Sequence, residues 1–404
     1  MQPVRVGSKE LIREINSSLL LAELRAGLLS RTELAKRTGL SLPTVSEIVA
    51  ELLQRGVVEE RETALSGGGR KPVLLALKAD AGFVIGIKVT ETRVIGVRTD
   101  LNAGIVARAT AAVPSDDVPT VVRAITKLVR ALRPKPAPAG SARAQASGPL
   151  YGVGVGLAGV VDRASGVVRH ATYADWRDVD LAGLLEGKLG VPVVVDNDVN
   201  TLVANEQWFG AGRGVSDMAV VSIGRGIGLG MVLDGRLYRG AGGGAGEFGH
   251  LKVADGPDCA CGGRGCLEAV IGGPAILART GQRTLDDAAA LARSGDAGAR
   301  AVFDEVGRIL GTAVGNLVNL LNPKLIVLAG EGTRAAELIR PGFDATLRSS
   351  VFDGLQRDLE IVVDEWDDEA WARGAAGLFL GELFQPNLRP DEAGRPSLTA
   401  RSAS

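Results

Sequence analysis

The spacing of apolar residues changes character near residue 80. Before that point the apolar residues recur at helical intervals. This pattern predicts three helices, over residues 9–26, 32–38 and 42–55. Gly39 and Gly56 end the second and third helices, and Ser41 caps the start of the third. A small glycine turn between two short helices is what a helix-turn-helix requires, because the helices must cross closely.

Two short apolar runs after the third helix predict a β-hairpin. The first strand opens at Val57, and residues 73–77 form the returning strand. Glycines followed by Arg70 and Lys71 predict a basic hairpin tip. Three helices and such a hairpin are typical of a winged helix-turn-helix DNA-binding domain, here over residues 1–78. A three-helix module that binds another protein is the alternative interpretation.

From residue 82 the chain alternates between strand and helix patterns. Strands are predicted over residues 83–89, 93–100, 152–159, 191–195 and 325–330, with a strand, glycine turn and strand over 218–230. Helices are predicted around residues 117–132, 303–321 and 369–383. Continuous apolar runs at 191–195 and 325–330 indicate strands buried in a parallel sheet, so the fold class is α/β. Residues 134–149, rich in Pro, Ala, Ser and Gly, are expected to be a flexible excursion.

Composition and charge narrow the class of protein. The 404 residues suggest two or three domains, and 46% hydrophobic residues suffice for a core. No apolar run reaches membrane-spanning length and no signal-peptide pattern is present, so we expect a cytoplasmic protein without a membrane partner. The net charge is −1 overall, but residues 1–78 contain 12 Lys and Arg against 9 Asp and Glu. Their net charge of +3 permits nucleic-acid binding by this segment.

The third helix would enter the major groove of DNA by its first turns. Its candidate base-facing side chains are Leu42, Thr44, Ser46 and Glu47. None is Arg or Lys, so the strongest guanine-reading contact is missing. The candidate phosphate contacts are Arg31, Arg37, Arg70 and Lys71. We expect a double-stranded operator as partner and, by analogy with proteins that bind two-fold sites, a homodimer or higher homo-oligomer.

Every cysteine of the chain lies within eight residues. Cys259, Cys261 and Cys266 follow His250, one of only two histidines. Three thiols and an imidazole complete a tetrahedral zinc set without an open position, so the metal is predicted to be structural. Three unrelated buried thiols are the alternative, and a disulfide is disfavoured by the odd count.

Two groups of polar residues are candidates for ligand binding. Asp196, Asn197 and Asp198 directly follow a predicted buried strand, where side chains point into the ligand crevice of a parallel sheet. A carboxylate beside an amide suits vicinal hydroxyls, although Asn and Asp also often cap helices. Glu247 and Glu268 flank the cysteine cluster, so a metal there would tether the loop that carries them. For Glu268, a solvated or capping carboxylate is the alternative.

The segment around the cysteines resembles the signature of the ROK family of repressors, open reading frames and sugar kinases. It reads Gly-Glu-Phe-Gly-His over residues 246–250 and Cys-Ala-Cys-Gly-Gly-Arg-Gly-Cys-Leu-Glu over residues 259–268. The resemblance covers about residues 8–385 and implies a two-lobed actin-like (ribonuclease H-like) ATPase fold. Lobe 1 is then expected at residues 79–195 with a C-terminal helix at about 369–385, lobe 2 with the zinc site at 196–368, and a disordered tail at 386–404.

The resemblance also implies roles for single residues. Zinc is implied on His250, Cys259, Cys261 and Cys266, and sugar contacts on Asn197, Asp198, Glu247, His250 and Glu268. His250 would serve both, one through each ring nitrogen. In the family's kinases the residue matching Asp198 is the general base. Members with an N-terminal winged helix are regulators of sugar metabolism.

The chain departs from the family's kinase pattern at the phosphate site. Those kinases carry Asp-x-Gly-Gly-Thr after the first strand, whereas residues 88–92 read Lys-Val-Thr-Glu-Thr. Lys88 replaces the acidic residue, and Glu91 adds bulk and negative charge where a phosphate should approach. Arg225 replaces the threonine of the family's second glycine turn, and Ala158 replaces the proline of the family's Pro-Gly turn. We therefore expect weak phosphate binding and no catalytic residue.

These observations favour a sugar-responsive DNA-binding repressor over an enzyme. A monosaccharide effector would close the two lobes and change the placement of the winged helices in a dimer. The alternative is a bifunctional sugar kinase in which Asp198 is the catalytic base. A third hypothesis is regulation by a partner protein.

Overall fold

The computed structural model describes residues 8–61, 72–134, 148–172, 174–385 and 398. The predicted hairpin tip with Arg70 and Lys71 lies outside these residues. The same holds for most of the predicted flexible excursion and for nearly all of the predicted disordered tail.

The first unit consists of three helices and a small antiparallel sheet. In chain order its elements are α1 (Lys9–Ala26), β1 (Leu29–Ser30), α2 (Arg31–Thr38), α3 (Leu42–Gln54), β2 (Val58–Arg61) and β3 (Leu74–Leu77). The strand order is β1-β3-β2. The helices and the hairpin strands match the prediction to within one or two residues. Strand β1 was not predicted, because two residues carry no periodicity.

Local capping explains the sharp turn between α2 and α3. Ser30 and Glu33 form a reciprocal capping box at the start of α2. Gly39, with φ of 72°, ends α2 in the left-handed region that glycine adopts without strain. The Ser41 hydroxyl then accepts a hydrogen bond from the Thr44 amide and starts α3. Val45 is fully buried where the helices cross.

The second unit is built on a five-stranded sheet of order β11-β7-β4-β5-β6. Its elements are β4 (Phe83–Val89), β5 (Arg93–Thr99), β6 (Ile105–Ala112), α4 (Val118–Leu132), β7 (Leu150–Leu157), β8 (Gly159–Asp162), β9 (Val167–Ala171), β10 (Arg177–Asp180), α5 (Leu181–Leu189) and β11 (Val193–Asn197). Strands β8, β9 and β10 form a separate antiparallel sheet. Strands β4, β7 and β11 are parallel, which the apolar run at residues 191–195 predicts for β11.

The third unit contains a second five-stranded sheet, of order β14-β13-β12-β15-β16. In chain order, the elements that follow β11 are α6 (Asp198–Phe209), β12 (Met218–Ile223), β13 (Ile227–Leu233), β14 (Arg236–Tyr238), α7 (Leu267–Ile271), α8 (Gly273–Thr280), α9 (Leu285–Arg293), α10 (Ala297–Leu321), β15 (Leu325–Ala329), α11 (Ala336–Ser350), β16 (Glu360–Asp364) and α12 (Asp368–Leu383), the last of which packs on the first sheet. In the part of the chain that the structure describes, none of the helices combines the length and apolar character needed to cross a membrane.

Helices α12 and α6 fill the space between the two sheets. Backbone of α12 lies directly on the first sheet, since a Cβ on Gly154 of β7 would stand 1.9 Å from the Ala375 carbonyl oxygen. Helix α6 packs against α12 on one side. On its other side, Val199 and Val203 lie against the glycines of β13. Helix α6 therefore contacts both units, and any movement of one sheet against the other must involve it.

The winged-helix unit docks on the end of α12. Its apolar core continues into Leu380 and Leu383 of that helix. The Ser18 hydroxyl of α1 donates a hydrogen bond to the Phe384 carbonyl oxygen at 2.7 Å. The Arg25 guanidinium, also on α1, lies 3.9 Å above the Trp208 ring of α6.

Several elements differ from the prediction for identifiable reasons. Helix α10 begins at Ala297, six residues earlier than expected, because Asp296 caps it. Helix α6 was not predicted at all. Its polar residues Asn200, Thr201, Asn205 and Glu206 are buried together with its apolar ones. A helix that is buried all round shows no amphipathic pattern.

The close contact between α12 and α6 generates a stability prediction. A Cβ on Gly374 would stand 1.9 Å from the Thr201 carbonyl oxygen, whereas Gly381 in the same helix faces open space. Gly374→Ala should lower the free energy of unfolding by about 1–3 kcal/mol through overpacking. Gly381→Ala is the matched control and should be neutral or stabilising by about 0.5–1 kcal/mol. Thermal denaturation of both variants checks this, and equal melting temperatures would contradict it.

Candidate functional site

The predicted Asp196-Asn197-Asp198 group lies where β11 gives way to α6. Asp196 and Asn197 are the last residues of the strand rather than residues beyond it, because pairing with β7 continues to Asn197. Both oxygens of the buried Asp196 are engaged, by Arg239 at 2.7 Å and by Asn200 at 2.7 Å. Asp196 therefore serves to join the units and does not face a ligand.

Asn197 caps helix α6, as the alternative interpretation held. Its Oδ1 accepts a hydrogen bond from the Val199 amide at 2.8 Å. Its Nδ2 donates to the Gly159 carbonyl oxygen at 2.9 Å and so ties β11 to β8. A sugar contact by Asn197 stays a prediction.

Asp198 is the first residue of α6 and lies in the cleft between the two sheets. Burial raises the pKa of its carboxyl group. The ammonium of Lys88 lowers that pKa and the carboxylate of Glu247 raises it, so both charges lie close by. Asp198 thus lies near Lys88, on the first-sheet side of the cleft, and near Glu247, on the other side.

Glu247 and Glu268 stand on the other wall of this cleft. Burial raises the pKa of Glu247, and the Glu268 carboxylate raises it further, whereas His250 opposes the shift. Glu268 lies in the first turn of α7 and accepts a hydrogen bond from the Ile227 amide at 3.1 Å. We call Asp198, Glu247 and Glu268 the carboxylate cluster.

The four predicted zinc ligands lie together. Their ligand atoms all fall within 4.8 Å of one another. The Cys259 Sγ is 3.7 Å from the His250 Nδ1, and the Cys261 and Cys266 sulfurs are 3.7 Å apart. Ligands about 2.3 Å from a tetrahedral zinc ion have about this mutual spacing. The set therefore fits the metal.

The thiols of this group lie too close to ionise together without a cation. Burial, with hydrogen bonds from the neighbouring thiols, raises the pKa of Cys266 to about 11. A bound dication would reverse this preference. None of the three cysteines forms a disulfide.

His250 connects the thiol group to the carboxylate cluster. Its Nδ1 faces Cys259, and its Nε2 lies 3.7 Å from the Glu247 carboxylate. The two ring nitrogens therefore face different groups, and the double role that the family resemblance implies for His250 stays a prediction. A metal on Nδ1 would fix the ring, and with it the position of Nε2 in the cleft.

Lys88 occupies the opposite, first-sheet side of the cleft. Its ammonium lies 2.9 Å from the Asp368 carboxylate at the start of α12 and 4.1 Å from the centre of the Trp371 ring. Arg93 binds the other oxygen of Asp368 at 2.7 Å. The lysine is only 15% exposed, so this ion pair is a built part of the cleft wall.

Glu91 and Arg225 form an ion pair across the cleft. Glu91 lies in the turn between β4 and β5, and Arg225 in the turn between β12 and β13. The Arg225 amide also donates to Glu331 at 3.0 Å. The sequence marks both residues as departures from the kinase pattern, but their pairing was not predicted, because 134 positions separate them.

The predicted DNA-facing residues of α3 are placed as follows. Leu42 is 47% exposed at the first turn. Glu47 is exposed and ion-paired with Arg13 of α1. The Thr44 hydroxyl lies 2.8 Å from that of Ser41, and Ser46 is partly buried. Arg13 was missed by the sequence reasoning, since nothing local indicates that α1 contacts α3.

The predicted phosphate-contacting arginines of α2 carry carboxylate partners. Arg31 lies 2.8 Å from Glu60 of the wing strand β2, and Arg37 lies 3.3 Å from Glu23 of α1. These pairs are exposed, so DNA phosphates could compete for the arginines at low cost.

Family profiles match both parts of the chain. The profile of the ROK family matches residues 84–382. The profile of the winged helix-turn-helix DNA-binding domain matches residues 16–59.

Curated relatives align along nearly the whole chain. The xylose repressor of Caldicellulosiruptor bescii is 28% identical over 400 residues, covering 94% of this chain and 98% of the relative. The DNA-binding transcriptional dual regulator NagC of Escherichia coli K12 is 27% identical over 399 residues, covering 93% and 94%.

Solved structures confirm the predicted fold class. A ROK family transcriptional regulator described as a homologue of the E. coli MLC protein superposes with a TM-score of 0.80 at 24% identity, covering 93% of this chain and 97% of that one. A ROK family glucokinase from Streptomyces griseus, in complex with glucose and AMPPNP, superposes with a TM-score of 0.62 at 28% identity. It covers 74% of this chain and 99% of the glucokinase.

Proposed function

The chain belongs to the ROK family, and on that basis we propose that it is a sugar-responsive DNA-binding transcriptional repressor of carbohydrate metabolism. Its ROK domain binds a monosaccharide effector and does not phosphorylate it. Full-length relatives named as a xylose repressor and as the regulator NagC support this class. The winged-helix match supports the DNA-binding part.

One observation carries the proposal: the two sides of the cleft differ in what they can bind. On one side, the carboxylates of the carboxylate cluster lie beside His250. On the other side, Glu91 pairs with Arg225 and Lys88 pairs with Asp368, and Lys88 and Glu91 belong to the segment where the family resemblance implies that kinases hold ATP phosphates. A triphosphate would have to break both pairs and approach Glu91.

The carboxylate cluster supplies the chemistry for holding a sugar. Asp198, Glu247 and Glu268 accept hydrogen bonds from sugar hydroxyls, and Asn197 and His250 complete the contacts. Asp198 could accept a proton from a sugar hydroxyl, but without a bound phosphate donor no phosphoryl transfer would follow. Its role here is binding.

Zinc on His250, Cys259, Cys261 and Cys266 is structural in this proposal. Four protein ligands leave no position for a substrate. The ion holds the loop between Glu247 and Glu268, and thereby positions two members of the carboxylate cluster.

DNA binding is assigned to the winged-helix unit of a homodimer. Bases are read by Leu42, Thr44, Ser46 and Glu47, and phosphates are bound by Arg31, Arg37, Arg70 and Lys71. Sugar binding moves the two lobes relative to one another and shifts the dimer away from the geometry that fits the operator.

The zinc assignment predicts the result of a single substitution. Cys259→Ser should reduce bound zinc from about one per chain to well below half, because a neutral hydroxyl replaces a thiolate ligand. Asp258→Asn changes the neighbouring exposed residue, which is not a ligand, and should keep its zinc. Elemental analysis measures both. Zinc near one per chain in Cys259→Ser would show that the ligand set is wrong.

The effector assignment predicts that a substitution in the sugar site removes the response to sugar and leaves DNA binding intact. Wild-type protein should gain a few degrees in melting temperature with one member of a monosaccharide panel and lose operator affinity about 10-fold or more. Asp198→Asn should bind the operator normally but lose both sugar effects, since the amide accepts fewer hydrogen bonds. Asp258→Asn is again the control. If no sugar changes melting temperature or operator affinity, the proposal fails.

The same preparation tests the kinase alternative. A coupled assay of ADP release with ATP and each hexose and pentose should show no turnover above background. Robust turnover that Asp198→Asn abolishes would identify a bifunctional kinase instead.

A further inference from the structure

Helix α6 extends from the proposed effector site to the winged-helix unit. Its first residue is Asp198, to which the proposed function assigns a sugar contact, and Trp208 lies in its last turn. Its 12 residues span about 18 Å. The Arg25 guanidinium of α1 lies 3.9 Å from the centre of the Trp208 ring. One helix therefore carries a candidate effector contact at its start and a contact with the DNA-binding unit at its end.

The first half of α6 packs closely against two neighbours. A Cβ on Gly228 of β13 would stand 2.5 Å from the Val199 side chain. Toward α12, a Cβ on Gly374 would stand 1.9 Å from the Thr201 carbonyl oxygen. These glycines leave no gap between α6 and either neighbour, so a displacement of β13 acts directly on the helix.

Helices α6 and α12 are packed most tightly at Thr201 and less tightly at Trp208. A Cβ on Gly377, later in α12, would stand 3.7 Å from the Trp208 ring, which is ordinary van der Waals contact. Trp208 lies about 10 Å beyond Thr201 along the helix. A tilt of α6 about its contact at Thr201 therefore moves the Trp208 ring.

Two aromatic side chains at the end of α6 face different parts of the molecule. The Phe209 ring lies 3.5 Å from the Arg373 guanidinium of α12, and the Nε of this arginine donates a hydrogen bond to the Ala103 carbonyl oxygen at 3.0 Å. The Trp208 ring lies under Arg25. Trp208 therefore connects α6 to the winged-helix unit, whereas Phe209 connects it to the first lobe.

The guanidinium of Arg25 is held by the Trp208 ring and not by an ion pair. Among the residues that the structure describes, it has no carboxylate or hydrogen-bond partner. Partial burial lowers the pKa of Arg25, and the like charge of Arg213 lowers it further. A cation–π contact depends on the position of the cation over the ring. Movement of the Trp208 ring therefore changes this contact directly.

Phe384, at the end of α12, completes the surface on which α1 rests. Its ring lies 6.1 Å from that of Trp208. Its carbonyl oxygen accepts a hydrogen bond from the Ser18 hydroxyl of α1 at 2.7 Å. Leu20 and Leu21 of α1 are buried in the same apolar cluster. The placement of α1 on the ROK domain thus depends on both rings.

We propose that α6 couples effector binding to DNA release through the contact between Trp208 and Arg25. This proposal rests on the proposed function and adds the route between its two sites. Effector binding moves the lobes, β13 displaces the first half of α6, and the Trp208 ring shifts under Arg25. The winged-helix unit then loses the placement that fits the operator.

Arg25→Met tests the route, because methionine keeps an apolar side chain on the Trp208 ring and removes the guanidinium. The sugar is whichever of xylose, glucose and N-acetylglucosamine binds, and the DNA is a duplex that the wild-type protein selects from a random pool. Each affinity, measured alone, should stay within about 2-fold of wild type, since the proposal places Arg25 in neither binding site. The factor by which sugar weakens duplex binding should fall about 2- to 5-fold, as expected for loss of an exposed cation–π contact.

A double-mutant cycle tests whether Arg25 and Trp208 act together. Trp208→Leu keeps an apolar side chain against Phe384 and removes the ring face under the guanidinium. It should lower the coupling factor at least as much as Arg25→Met, and the double variant should fall no further than Trp208→Leu alone. If the effects of the two substitutions multiply, the residues act separately and the proposal is overturned.

Arg98→Met is the matched control, because the Arg98 guanidinium lies 5.6 Å from the centre of the Phe83 ring within the first sheet. It should leave the coupling factor unchanged. A coupling factor that also stays at the wild-type value in Arg25→Met and in Trp208→Leu overturns the proposal and leaves the proposed function standing. If none of the three sugars changes duplex binding by the wild-type protein, the proposed function is overturned, and the proposal with it.

Discussion

Burial of helix α6 between the two sheets is the constraint on which the rest of the structure depends. Glycines allow its backbone and that of α12 to approach neighbouring carbonyl groups directly, at Gly374 and Gly154. The two lobes and the winged-helix unit therefore all contact this pair of helices. We expect a change in the angle between the lobes to reach the DNA-binding unit, because the two helices pack directly against the lobes and against that unit.

One wall of the cleft beside α6 carries carboxylate acceptors, and the opposite wall is lined by ion pairs. The carboxylate cluster is held by the start of α6 and by the loop around the four candidate zinc ligands. Opposite it, Lys88 and Glu91 are engaged with Asp368 and Arg225. An exposed ion pair such as Glu91–Arg225 is worth little in stability. In the proposed function its importance lies in its position, because Glu91 adds bulk and negative charge where the family resemblance implies that a phosphate approaches.

Much of this arrangement could be predicted from local patterns. The winged-helix elements follow from helical periodicity, from Ser41 and Gly39, and from the hairpin strands. The candidate metal ligands follow from the clustering of three cysteines near His250. Helix α6 could not be predicted, because its polar residues are buried with its apolar ones. A helix that is buried on every side has no solvent-facing polar stripe, so its sequence shows no amphipathic pattern.

Sequence alone determined the α/β class, the winged helix, the residue types of the candidate metal site and the presence of Lys88 and Glu91 in the segment that resembles the family's phosphate motif, because each depends on residues close together in the chain. Tertiary structure decided which distant residues meet. It pairs Glu91 with Arg225, buries Asp196 in an ion pair with Arg239, and places the Arg25 guanidinium over the Trp208 ring. Such contacts arise from the packing of whole elements, and no local periodicity or spacing encodes them.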